Sequence, residues 1–379
     1  MLSTFASRAL GTERWTYRLL NQNTSSISNQ NQTTIAWSRR WKAAFIGGAI
    51  LVIVLAWIGL AALARALRIK YVSLDRYQDL CVSSYSTYGH GPVFHTPPNR
   101  RAVVTTLYSD GYAIGVAVLG HSAKAANISA RLLLPYFEHK VSPKALCIAR
   151  AVGWEPMPIP RIPPPKGEDA VHWRYKDQYT KLSIWKLDEM GVDSAVYLDA
   201  DTMVRSNFDE LFDSPFNFAA IPDVWGGRRG FSVDFNAGVL AFRPSTAVFG
   251  ERHAKKLEIA TYPIVEAEQA FLNLYFGPTA LRLPYIYNAN LAIKRRNPAL
   301  WKRITDEMRV VHYTLVKPFV SNLGKPADAL LSPEELDEAV TIVEGQYGGL
   351  FKEEVGWWKE EYEMMMMVHG HTIEQCYSS

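Results

Sequence analysis

The chain has 379 residues, 48% hydrophobic and 21% charged, which is the make-up of a folded, core-forming protein and excludes collagen, coiled coil and wholesale disorder. The net charge of +4 lies in residues 1–42, where Arg8, Arg14, Arg18, Arg39, Arg40 and Lys42 stand against one acid, Glu13. The rest is near neutral and gives no sign of the basic face a nucleic-acid binder needs. Three cysteines, Cys81, Cys147 and Cys376, exclude a disulfide scaffold and a four-cysteine zinc site; they allow one disulfide, and the spacing does not say which.

In chain order, residues 1–42 hold the polar, low-complexity run LLNQNTSSISNQNQTT, and are expected to be a disordered tail. Ala43 to Ala64 contains 22 residues and no charge, enough to cross a hydrocarbon core that takes about 20. It predicts a transmembrane helix acting as a signal-anchor. Basic residues flank it about equally on both sides, so the positive-inside rule barely decides; the short basic tail favours a cytosolic N-terminus and a lumenal body. In that orientation the sequon Asn127-Ile128-Ser129 is usable and those at Asn23 and Asn31 are silent.

Residues 65–100 read as a stem with some helix. Arg101 to Leu107 (RAVVTTL) predicts a buried strand, Tyr112 to about Ala126 a helix, and Arg131 to Pro135 a second strand; strand, helix, strand is the signature of a parallel sheet. Pro156 to Pro165 has six prolines, which bars helix and central strand and predicts a surface loop. A helix is expected from about Lys176 to Met190, then a strand at Ser194 to Leu198 and short strands at Phe218 to Ile221 and Gly238 to Phe242. Gly226 to Gly230 (GGRRG) is a loop between the last two. Ser332-Pro333-Glu334-Glu335 is a capping box that starts a helix. The expected organisation is a tail at 1–42, a membrane helix at 43–64, a stem at 65–100, an α/β domain at 101–330 and a C-terminal helical extension at 331–379.

Asp199 and Asp201 stand two apart just past a buried strand, so in extended geometry their carboxylates point the same way. Two carboxylates at the C-terminal edge of a parallel sheet make a hard-oxygen cation site where such sheets put ligands, with positions left for substrate phosphates. Asp-x-Asp alone also fits a solvated turn.

The wider order of segments resembles glycosyltransferase family 8, which includes glycogenin. The resemblance rests on Thr105-Thr106-Leu107-Tyr108 with Asp110 and Tyr112, YTKLSIWKL around Lys181, and VYLDADTMV (Val196 to Val204). AAIPD (Ala219 to Asp223), FNAGVLAF (Phe235 to Phe242), EAEQAFLN (Glu266 to Asn273), LPYIYN (Leu283 to Asn288) and VHYTLVKPF (Val311 to Phe319) follow in the same order. It implies a GT-A fold: a Rossmann-like, mostly parallel sheet with helices on both faces. It implies an enzyme that transfers a sugar with retention of configuration from a nucleoside diphosphate sugar, usually a UDP-sugar, through Mn²⁺, with Mg²⁺ as a substitute. By position Asp199, Asp201 and His312 would hold the metal and Lys317 the diphosphate. Thr106, Leu107, Tyr108 and Tyr112 would meet the uridine, and Lys181, Asn236, Gln269 and Glu268 would line the donor sugar.

The chain departs from the glycogenin-like pattern in places. Four residues separate His312 from Lys317, with Leu315 where a glycine is expected; Glu268 replaces an aspartate; and ANLAIKRR after LPYIYN has no tyrosine to accept glucose. Self-glucosylation is therefore not expected, and a Golgi enzyme acting on a glycan or glycoprotein is. The alternative from another class is a membrane-tethered binding or scaffold protein that keeps the fold without turnover. A nucleotidyl-sugar pyrophosphorylase would need a glycine-rich loop near its first strand, which TTLYSDG lacks. Taken alone, His312 reads as a packed core histidine, Lys181 as a solvated lysine, and Arg228 and Arg229 as part of a mobile loop or an acidic-acceptor contact.

Overall fold

The computed structural model describes residues 39–72, 95–227, 229–250, 261–320 and 328–378. The expected tail, most of the stem, Cys81 and Arg228 lie outside these residues. The N-terminal unit and the remainder are distinct bodies, described here separately.

In the first, α1 (Arg39–Val72) is continuous, and large apolar side chains along it such as Ile50, Trp57 and Leu60 are exposed. The helix expected at 43–64 is therefore present as a helix. Among the described residues, however, no helix is long and apolar enough to cross a membrane. The transmembrane character expected at 43–64 thus rests on sequence alone.

The second unit is built on a seven-stranded sheet. Its strands are β1 (Arg101–Val104), β2 (Arg131–Tyr136), β3 (Glu155–Pro158), β4 (Ser194–Leu198), β6 (Phe218–Val224), β7 (Phe231–Phe242) and β8 (Leu281–Arg282), in the spatial order β3-β2-β1-β4-β7-β6-β8. Pairings are parallel except those of β7 with β4 and β6. A smaller sheet joins β5 (Thr202–Val204), β9 (Ala289–Asn290) and β10 (Val310–His312), with β10 in the middle.

Period two decides which face each residue serves. Along β4, Val196 and Leu198 enter one hydrophobic core, while Ala195 and Tyr197 enter another on the opposite face. The first core receives helix Ala113–Ala125, the expected crossover between β1 and β2. The second receives the 3₁₀ helix Gln178–Met190 and helix Ala267–Phe276. Gln178–Met190 ends on Gly191, whose φ of 76° is the left-handed conformation that favours glycine at a helix C-terminus.

Two expectations change. The proline-rich segment is not loop throughout: Glu155–Pro158 is a strand. It is an edge strand, where prolines are tolerated because one side of the backbone needs no ladder partner. The C-terminal segment is helical, at Pro333–Gly345 with the expected capping box and at Lys352–Ser378. It is no appendage, because Leu336, Val355, Trp358, Met365 and Ile373 are buried in the first core beside Val116 and Val118. Cys147 and Cys376 form a disulfide across a separation of 229 residues, fastening this last helix to helix Pro143–Ala151. Closing a loop of that length restricts the unfolded chain by about 5 kcal/mol on the chain-entropy account.

Candidate active site

Strand β4 delivers Asp199 to the C-terminal edge of the sheet, where its N–H donates to the Gly238 carbonyl at 2.8 Å and the Thr202 N–H donates back to its own carbonyl at 3.0 Å. The chain turns there and leaves as β5. Strand β10 returns antiparallel to β5 with His312 opposite Thr202, and the Tyr313 N–H donates to the Asp201 carbonyl at 2.8 Å. That register brings an imidazole from 111 residues away onto the acid pair: His312 Nε2 lies 3.2 Å from Asp201 Oδ1 and 3.9 Å from Asp199 Oδ2. The three side chains offer ligand atoms within 4.8 Å of one another. One imidazole nitrogen and two carboxylates suit a divalent cation such as Mn²⁺, and a set of three leaves coordination positions for a ligand.

Two lysines balance the acids, Lys181 buried and Lys317 partly exposed. Lys317 forms an ion pair with Asp201 Oδ2 and also donates to the Tyr313 carbonyl at 3.3 Å. Burial by itself would raise the Asp201 carboxyl, but Lys317 and His312 outweigh it and hold the group well below the usual carboxylate range. Lys181 is buried, with its ammonium 3.0 Å from Asp199 Oδ1, 2.8 Å from Glu268 Oε1 and 3.2 Å from the Ala237 carbonyl. Burial pulls its pKa down, yet Asp199 and Glu268 together lift it well above the ordinary lysine value. Burial likewise pushes the Glu268 carboxyl up, against the pull of Lys181. Removing one member would leave the others' charges uncompensated, which for a buried ion pair costs about 3–5 kcal/mol.

A layer of amides lies beneath. Gln269 accepts from the Ala237 N–H at 3.0 Å and donates to Asp223 Oδ2 at 3.0 Å. Asn236 accepts from the Gly238 N–H at 3.0 Å and donates to Asp223 Oδ1 at 3.1 Å. Ala267, which leads into the helix carrying Glu268 and Gln269, has a φ of 53°, a strained value of the kind found at functional sites.

The model of glycosyl transferase family 8 matches residues 104–321, more than half of the chain and all of this site. The chain belongs to glycosyl transferase family 8. Among its family 8 relatives is galactinol synthase 4 of Arabidopsis thaliana, 30% identical over 255 residues, covering 58% of this chain and 73% of that protein. Another is inositol phosphorylceramide glucuronosyltransferase 1 of the same plant, 29% identical over 264 residues, covering 62% of this chain and 46% of the relative. Glycogenin of Neurospora crassa is 25% identical over 249 residues, covering 64% of this chain and 35% of that one. A solved galactosyltransferase, LgtC, bound to donor and acceptor sugar analogs aligns with 19% identity and a TM-score of 0.44, covering 64% of this chain and 96% of its own. The chain thus spans less than half of two of these curated relatives.

For a family 8 site, the sequence-assigned residues gather unevenly. Asp199, Asp201, His312, Lys317, Lys181, Glu268, Gln269 and Asn236 are joined by the contacts above. Thr106 reaches the group through its hydroxyl, 3.0 Å from the Tyr197 hydroxyl, which donates to Asp199 Oδ1 at 2.9 Å. Tyr112 meets Phe319 edge-on, two residues beyond Lys317. Tyr108 stacks on Phe137 with ring centroids 4.6 Å apart. Leu107 has a fully buried side chain, and its N–H and carbonyl are taken by Pro135 and Phe137, so it offers a uridine little beyond shape. Arg229 packs over Trp225 and pairs with Glu266.

Four residues of the group were not singled out from sequence: Tyr197, Asp223, Gly238 and Asn288. Each lies inside a quoted motif, one or two places from an assigned residue or at the motif's end. Gly238 is the tightest of them: a Cβ there would stand 2.3 Å from His312 Cε1 and 2.8 Å from both His312 Nδ1 and Asn236 Oδ1.

Proposed function

We propose that this family 8 chain transfers a hexosyl group from a UDP-sugar to a glycan or glycoprotein acceptor, with retention of configuration and dependence on Mn²⁺ or, as a substitute, Mg²⁺. The observation that carries the reading is the convergence of Asp199, Asp201 and His312 at the sheet edge, with Lys317 beside them. A divalent cation held by these three residues would supply positive charge against the nucleoside diphosphate, which is the leaving group. Lys317, on the chain segment just past His312, adds a second positive charge toward the same diphosphate without giving up a proton. Lys181 pairs with both Asp199 and Glu268 and fixes them at the floor of the site. Gln269 and Asn236 orient their amides by bonding to Asp223, leaving a preorganised polar surface for sugar hydroxyls. Glu268 is buried and tied to Lys181, which makes it a counter-ion rather than a free nucleophile. This supports front-side departure and attack over a covalent glycosyl-enzyme.

The test is thermal denaturation of the purified full chain with a panel of UDP-sugars and Mn²⁺, paired with an assay of UDP release. A true donor at about 100 times its dissociation constant adds about 2.7 kcal/mol of stability. Absence of any shift and of any UDP release across the panel would overturn the reading.

We further propose a single-pass Golgi membrane protein with a lumenal catalytic body, supported by the uncharged run at 43–64. The sequon residue Asn127 lies in the turn after helix Ala113–Ala125 and is exposed, a position a glycan can reach. The expected result in a eukaryotic host is retention in the membrane pellet after carbonate wash and a mobility shift on N-glycan removal that Asn127→Gln abolishes. Release by carbonate would refute the anchor.

A further inference from the structure

We propose that Asn288 is the positioning residue that fixes the ring of His312 with its Nε2 lone pair toward the acid pair. The inference rests on the metal reading above and adds what makes the imidazole a competent ligand.

A neutral histidine carries one N–H, and which nitrogen holds it is set by the hydrogen bond at the other end of the ring. His312 Nδ1 lies 3.0 Å from Asn288 Oδ1. The orientation of the Asn288 amide decides whether that contact receives a proton from the ring or sends one to it, and three further contacts settle it. The Gly238 N–H can only donate, so the Asn236 atom it meets at 3.0 Å is Oδ1. Asn236 then turns its other amide atom, Nδ2, toward Asp223 Oδ1 at 3.1 Å. Asn288 places its amide 3.0 Å from the same Asn236 Oδ1 and must donate there through Nδ2. Its remaining atom, Oδ1, faces the imidazole as an acceptor, so Nδ1 carries a hydrogen, and in the neutral ring that a metal ligand requires Nε2 is the nitrogen left with a lone pair. That lone pair lies 3.2 Å from Asp201 Oδ1, the corner a cation would share.

The chain from backbone to imidazole is buried and rigid. Asn288 is 1% exposed and His312 3%. Asn288 ends the short helix Tyr285–Asn288, directly before β9, which pairs with β10 so that Asn290 lies opposite His312. The register that delivers the histidine therefore also delivers the residue that aims it. A hydrogen bond to the far nitrogen of a metal-ligating histidine orients the ring and makes it a better ligand, and its loss costs about 10–100-fold in metal affinity.

The experiment measures Mn²⁺ affinity of the full chain in the presence of UDP, from the electron paramagnetic resonance signal of free Mn²⁺, together with UDP affinity in the absence of metal. Asn288→Ala is expected to weaken Mn²⁺ by about 10–100-fold while leaving metal-free UDP binding unchanged. Asn288→Asp, which keeps an acceptor for the Nδ1 hydrogen but loses the donor to Asn236 Oδ1, is expected to recover part of that loss. Should the alanine variant fail to fold, Asn288→Ser makes the same comparison, its side chain being too short to reach the ring. Wild-type affinity in the alanine or serine variant overturns this proposal alone. An equal loss of metal-free UDP binding also overturns it by showing that the residue acts through packing. A wild-type chain that takes up no Mn²⁺ with UDP overturns the metal reading and this inference with it.

Discussion

Asp201→Ala is expected to abolish metal-dependent UDP release while leaving the protein folded. Asp201 is the acid nearest to both His312 Nε2 and Lys317, so its carboxylate is the junction of the ligand group. Losing it removes a ligand and frees Lys317 to turn away from the site. If the cation contributes about 4 kcal/mol of transition-state stabilisation, within the several kcal/mol such ions supply, the rate should fall roughly a thousandfold. The fold should survive, because Lys317 is partly exposed and can find water once unpaired. The measurement is initial-rate UDP release at saturating Mn²⁺ beside a thermal melt. A variant that turns over at the wild-type rate removes Asp201 from the metal assignment.

Gly238→Ala should be nearly as damaging, although the glycine carries no chemistry. Its added methyl would overlap the imidazole of His312 and the amide oxygen of Asn236. Gly238 lies in β7, held between β4 and β6, so the backbone cannot yield and the histidine must move. Overpacking of this kind costs about 1–3 kcal/mol of stability. A displaced imidazole should weaken Mn²⁺ by more than about tenfold, the scale on which histidine orientation matters. Gly227→Ala is the control, since a methyl there meets nothing within 4 Å. Urea denaturation and Mn²⁺ titration read both effects. Equal Mn²⁺ affinity in the two variants would mean that the site tolerates a shifted His312.

How much could be read in advance differs from residue to residue. The strand at Ser194 to Leu198 and the helix from Ala113 were legible because an apolar run or a period of 3.6 is a local property of neighbouring side chains. The proline-rich strand Glu155–Pro158 was not. Proline excludes a central position, but nothing local distinguishes an edge strand from a loop. Lys181 read alone as a solvated helical lysine. It became a buried counter-ion only when Asp199 and Glu268 arrived from 18 and 87 positions further along.

The order of motifs along the chain, the acid pair at the end of a buried strand and the alternation of strand with helix determined the family, the sheet and the edge of it where the acid pair lies. These are short-range patterns, and one sequence displays them in full. Tertiary structure alone decided that Cys147 meets Cys376, that the last helix completes the first core and that Asn288 Oδ1 meets His312 Nδ1. Each of those depends on where the chain returns after tens to hundreds of residues. That path is set by the summed packing of all the elements, and no local pattern in the sequence records it.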